Sequence, residues 1–75
     1  MDVFKMQQVF RDGSYIVTVN ANEEFVTGVI VTGNAPENVL RICDYFRSVK
    51  AKPKRALDAI RSEMEKHGNI VRITP

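Results

Sequence analysis

Two stretches near the start of the chain alternate apolar and polar positions with a period of two, the pattern of half-buried strands. Residues 3 to 10 and 15 to 20 are rich in Val, Phe, Ile, Tyr and Thr, with Asp12-Gly13 between them. An Asp-Gly pair so flanked predicts a two-residue hairpin turn, because both turn positions need positive φ. Pairing across that turn sets Phe10 opposite Tyr15, Gln8 opposite Val17, Met6 opposite Val19 and Phe4 opposite Ala21. Alternation then puts them all on one face, the expected core face. The other face carries Val3, Lys5, Gln7, Val9, Ile16, Thr18 and Asn20. There Val9 and Ile16 come out adjacent near the turn, an apolar pair open to a partner.

Residues 20 to 24 read as a polar connection, and Phe25 to Thr32 as a third strand in which Gly28 marks a bulge or a close approach. Gly33-Asn34-Ala35-Pro36-Glu37 reads as a helix start, with Asn34 as N-cap and Glu37 completing the capping pair. Val39, Ile42, Cys43 and Phe46 recur at helical spacing and leave Arg41, Asp44 and Arg47 outside. Pro53 suits the first turn of a second helix striped by Leu57, Ile60, Met64 and His67, and Gly68 is a natural stop. Residues 69 to 74 can add a last strand through Val71 and Ile73. The expected fold is α+β: a three- to four-stranded antiparallel sheet with two helices packed on one face, in the order β-β-β-α-α-β.

The 75 residues make one small domain, 44% apolar and 27% charged, which is ordinary globular composition. A chain this short hides only about 60% of its unfolded surface, so function is expected on a surface rather than in a deep cleft, and most enzymes are disfavoured. The first residues lack a signal-peptide pattern and the run Phe25 to Val31 is too short to span a bilayer. One cysteine, Cys43, fits a reducing compartment. The expectation is a cytoplasmic protein with no membrane association.

The catalytic repertoire is thin. Cys43 and His67 both fall on apolar stripes, where a core thiol and a histidine at a helix end are the simpler readings. Glu63 and His67, one turn apart, are half a metal site without further ligands at recognisable spacing. Gly33 has neither phosphate-loop glycine spacing around it, and Glu23-Glu24 read as a solvated turn. No catalytic residue, metal or cofactor is therefore expected.

Charge distribution changes the picture. The net charge is only +2, but residues 41 to 55 hold Arg41, Arg47, Lys50, Lys52, Lys54 and Arg55 against Asp44, while the other residues together are negative. Arg47, Lys50, Lys52, Lys54 and Arg55 surround the interhelical loop, and two of them sit at a helix start, where positive charge is mildly unfavourable unless an anion offsets it. They form the expected partner-binding or anion-binding segment, suited to an acidic protein or a phosphate backbone. Possible sheet-face contacts are Val9, Phe10 and Ile16. The sheet lacks the interleaved aromatics and RNP1 pattern of RNA-recognition domains.

The run Val9-Phe10-Arg11-Asp12-Gly13-Ser14-Tyr15-Ile16, then Tyr45-Phe46, then Arg55-Ala56-Leu57-Asp58-Ala59-Ile60, resembles a family of small phage-encoded anti-CRISPR proteins that inhibit type I-F surveillance complexes. The resemblance implies an antiparallel sheet followed by two helices. It also implies a non-enzymatic inhibitor that docks on the protein backbone of an RNA-guided complex in a bacterial host and obstructs target DNA, with a hairpin aromatic at Phe10 among its contacts. The expected function is thus protein binding and inhibition, the alternative being a nucleic-acid or acidic-partner module built on residues 47 to 55. A homodimer that buries Val9 and Ile16 is a third expectation.

Overall fold

The chain opens on a hairpin of β1 (Met6–Asp12) and β2 (Tyr15–Ala21). In the computed structural model residues 6–66 and 71–73 are described. The register sets Asp12 opposite Tyr15, Phe10 opposite Val17, Gln8 opposite Val19 and Met6 opposite Ala21. It is displaced by two residues from the expected one, and the turn is Gly13-Ser14. Glycine explains the displacement: Gly13 has φ 55, while no other type of residue among those described has positive φ. A turn centred on Asp12-Gly13 would force Asp12 into that region, whereas Gly13-Ser14 puts the glycine first, as a type II′ turn requires.

A slip of two preserves the alternation of faces, so the expected core face survives. Gln8, Phe10, Tyr15, Val17, Val19 and Ala21 are buried. Phe4, expected beside them, lies outside the described residues. On the open face the slip has an effect: Val9 pairs with Thr18 and Ile16 with Arg11. Val9 and Ile16 are therefore diagonal neighbours, not an opposed pair.

Asn22 turns the chain into β3 (Val26–Gly33). Its Oδ1 accepts the N–H groups of Glu24 and Phe25, both at 2.8 Å, so the side chain takes the place of a backbone acceptor in the turn. Against β2, Asn20 pairs with Gly28 but Ala21 with Val26, so Thr27 is an extra residue and a bulge sits next to Gly28. The bulge lets Val26 rather than Thr27 fill the inner face. Val26 and Val29 are accordingly buried and Thr27 exposed.

The first helix, α1, is Glu37–Ser48, capped by Pro36 without a side-chain bond. The expected Asn34 cap is not used. A residue before proline is driven to extended backbone, so Ala35 cannot open a helix behind an Asn34 cap; Pro36 is itself extended and its carbonyl accepts the N–H groups of Val39 and Leu40 at 3.1 and 3.0 Å. Asn34 instead donates its own N–H to the Ser14 carbonyl at 3.2 Å. The second helix, α2, is Pro53–Glu65 and has proline in its first turn. Its buried residues are Ala56, Ile60 and Met64, with Leu57 packed at the margin. His67 and Gly68 lie outside the described residues.

The short strand β4 (Val71–Ile73) pairs antiparallel with β1, giving a four-stranded sheet in the order β3-β2-β1-β4. The strands' inner side chains and Val39, Cys43, Phe46, Ala56, Ile60 and Met64 of the helices form one apolar cluster. The fold is a small α+β domain with the helices on one face and the other face open. Phe10, Ile60, Met64, Val17, Val19, Val39 and Cys43 are its fully buried side chains. Burying a side chain of this kind contributes about 1.5–3 kcal/mol, so these residues anchor the surfaces described next.

Candidate binding surfaces

The last turn of α1, the interhelical loop and the first turn of α2 carry the five expected cations, but not on equal terms. Arg47 leaves the end of α1, pairs with Asp44, and donates from Nε to the Val29 carbonyl at 2.8 Å. Lys54 pairs with Asp58 at 3.0 Å. Lys50 stands 6.0 Å from the centre of the Phe25 ring, at the outer limit of a cation–π contact. Lys50, Lys52 and Arg55 are exposed and form no ion pair among the described residues. The segment's free charge therefore rests on three residues rather than five.

Its position is fixed by the sheet. The N–H of Val26 donates to the Ala51 carbonyl at 2.9 Å, and Ala51 itself is buried. The loop is thus tied at its middle to the beginning of β3, with Lys50 and Lys52 flanking the tie. Lys52 caps α2, and no acidic residue occupies the first helical turn. The Lys54 and Arg55 charges stand at the positive end of the helix dipole, each at a cost of about 0.3–1 kcal/mol when unscreened. Such an arrangement accepts an anion more readily than another cation.

A second surface is the open sheet face. Val9, Thr18 and Ile30 form one row across three strands, and Arg11, Ile16 and Thr32 the next. Val9 and Ile16 are half-buried, so they belong to this surface as expected. Phe10 does not: it is fully buried beneath the helices, because its position in the pleat is the one opposite Val9. Its expected contact role is corrected on that ground.

Sequence patterning did not single out four exposed apolar side chains: Ile30, Leu40, Tyr45 and Val49. Ile30 hides in the run Val29-Ile30-Val31, where alternation becomes readable only once the bulge is known. Tyr45 and Val49 mark the end of α1 next to the cations, and the Tyr45 ring meets Phe46 edge-on with centroids 5.0 Å apart. Two shallow depressions accompany these surfaces. One lies between β3 and α1, about 240 Å³, and the other at Asn38, Arg41, Ile42 and Glu63, about 280 Å³. In the latter, Asn38 Nδ2 donates to Glu63 Oε1 at 2.9 Å and joins the two helices.

The buried titratable groups are held neutral. Burial pushes the Cys43 thiol up to about 11, and burial followed by the nearby Asp12 charge pushes the Tyr15 phenol up to about 12. Neither is poised as a nucleophile near neutral pH. Among the described residues, no three of the His, Cys, Asp and Glu side chains cluster in a way that would hold a metal ion. No helix among them is long and apolar enough to cross a membrane. No protein-family model, curated protein or solved structure matches the chain.

Proposed function

We propose that this domain is a non-catalytic inhibitor that docks on an acidic surface of a larger protein complex through the cations between its helices. The observation that carries the reading is the start of α2: Lys52 and Arg55 are exposed without an ion pair among the described residues and no acidic residue stands in the first turn, on a loop fastened to the sheet through Ala51. Positive charge kept at a helix start costs stability in the free domain, and an acidic partner offsets that cost on binding. The resemblance to the type I-F anti-CRISPR family makes an RNA-guided surveillance complex the first partner to test, in the cytoplasm of a bacterial host. A net charge of +2 does not suit mimicry of DNA over the whole surface. Obstruction of target DNA from a local contact on the protein backbone of the complex is the mechanism this reading carries.

The test is reconstitution with purified type I surveillance complexes and measurement of target-DNA binding. Inhibition that is lost in Lys52→Glu with Arg55→Glu supports the reading; unchanged DNA binding for every subtype removes it. Exposed Tyr45 near the end of α1 favours a second reading, single-stranded nucleic-acid binding through one stacking aromatic and a basic rim. Affinity for an oligonucleotide that falls steeply with salt, and falls again in Tyr45→Ala, would support it. No binding at low salt would exclude it.

A further inference from the structure

We infer that the free edge of β3 is a self-association site, at which a second copy of this chain adds its own β3 antiparallel about a two-fold axis near Val31. The sheet order leaves β3 at one end, with β2 on one side only. The Gly13-Ser14 turn makes Asp12 with Tyr15 and Phe10 with Val17 the hydrogen-bonded pairs of the hairpin, so Ile16 and Thr18 bond the other way, to Thr32 and Ile30, and alternation turns the N–H and C=O groups of Val29, Val31 and Gly33 away from the sheet, as the Arg47 bond to the Val29 oxygen shows. Natural sheets protect such edges with lysine, proline, inward-pointing charge or a bulge. The sequence of β3, Val-Thr-Gly-Val-Ile-Val-Thr-Gly, has no lysine, proline or charge, and its one bulge lies at Thr27, away from the Val31 to Gly33 half. Among the described residues its outer edge receives only the Val26 bond to Ala51 at one end and the Arg47 bond to Val29. The Val31 to Gly33 half is open.

Self-complementarity is what chooses a second copy over another occupant. The strand is self-complementary: a two-fold at Val31 opposes Val31 to itself and Val29 to Gly33, and on the open face sets exposed Ile30 against Thr32 of the other copy, a β-branched pair. The Val29 oxygen can accept the incoming N–H and keep Arg47, since a carbonyl has two lone pairs. The helix over this edge also fits. Arg47 reaches the edge from one flank of α1, and Leu40, seven residues earlier on the same flank, is exposed above it. The charged residues of that flank, Asp44 and Arg47, already neutralise each other.

Charge sets the orientation. The basic loop is tied to Val26. Antiparallel pairing centred on Val31 sends the two loops to opposite ends, on the order of 30 Å apart at about 3.4 Å per residue. That is several Debye lengths at physiological salt, so the loops do not repel and both remain free for partners. A parallel arrangement would bring them side by side.

Sedimentation equilibrium of the full chain, run from micromolar to millimolar, tests the inference. The expected result is a mass that doubles with concentration. Ile30→Lys with Thr32→Lys, both on the exposed side of the strand, places like charges across the axis and is expected to hold the chain monomeric with unchanged circular dichroism. Mixing that variant with Ile30→Glu plus Thr32→Glu is expected to restore a mixed dimer. A chain that stays monomeric at every concentration overturns the inference and leaves the edge to a strand of a different protein. A dimer that survives the lysine pair, or one dispersed only by Val9→Lys, puts the interface elsewhere and overturns it equally.

Discussion

Arg47 Nε donates to the main-chain oxygen of Val29 at 2.8 Å, so the end of α1 is fastened to the outermost strand by a charged donor on an uncovered carbonyl. Hydrogen bonds from charged groups are worth about 1.5–3 kcal/mol when well sheltered, and partial exposure to water at this site places the expected loss nearer 1. Arg47→Met keeps the apolar stem and removes the bond. Its midpoint in thermal unfolding should fall by about 4–8 °C. Arg41→Ala, on the exposed Glu37 pair, should change stability by no more than about 0.5 kcal/mol.

The two glycines with positive φ should respond unequally to alanine. At Gly13, φ 55, a Cβ would meet nothing within 4 Å, so Gly13→Ala pays only for the positive-φ backbone, somewhat more than about 1 kcal/mol. At Gly33, φ 95, a Cβ would lie 2.4 Å from the Ser14 carbonyl oxygen and 3.0 Å from the Tyr15 Cα. Both are main-chain atoms that cannot swing aside. Gly33→Ala should therefore lower the urea midpoint by a clearly larger amount than Gly13→Ala; equal effects would mean that the strand end relaxes freely.

Ile60 is fully buried between the helices and the sheet. Ile60→Val should cost about 0.5–1.5 kcal/mol and Ile60→Ala about 2–5, enough for the larger truncation to leave much of a domain this small unfolded. Loss of much of the native circular dichroism before any urea is added is the expected record for the alanine.

Alkaline pH should destabilise the fold through Cys43 and Tyr15. Folding raises the thiol from 9.0 to about 11 and the phenol from 10.0 to about 12. The folded state thus keeps protons that the unfolded chain has released, and stability present below pH 9 declines as pH climbs toward 12. Urea midpoints at pH 8 and 10.5 measure the decline. Cys43→Ala should remove the earlier part of it, whatever the substitution costs at pH 8. The same burial predicts that a thiol reagent labels native Cys43 only at the rate of unfolding.

Much of this architecture is legible in the chain because strand and helix periods differ so clearly. The faces of the hairpin could be read even though its register could not: a two-residue slip is invisible to alternation, and only the φ demanded of Gly13 or Asp12 decides where the turn falls. The stripe of α1 was likewise readable, but its first residue was not, because Pro36 overrides the capping preference of Asn34. The cations between the helices stood out by number. Their division into paired and free members depends on where Asp44 and Asp58 fall on the helix surfaces, and the Val29 contact of Arg47 joins residues far apart in sequence. Long-range geometry of that kind leaves no local signature.

The bulge at Thr27 sets the direction of one amide as well as the filling of the core. In an uninterrupted ladder, Thr27 would oppose Ala21 and the N–H of Val26 would point toward β2. With one residue looped out, Val26 inherits the outward direction and meets Ala51. The address of the basic loop on the sheet is therefore a matter of parity. Drawing Thr27 back into the ladder opposite Ala21 would leave every cation in the sequence and every helix intact, yet turn the loop's anchor inward and set Lys50 and Lys52 adrift from the strand that now holds them in place.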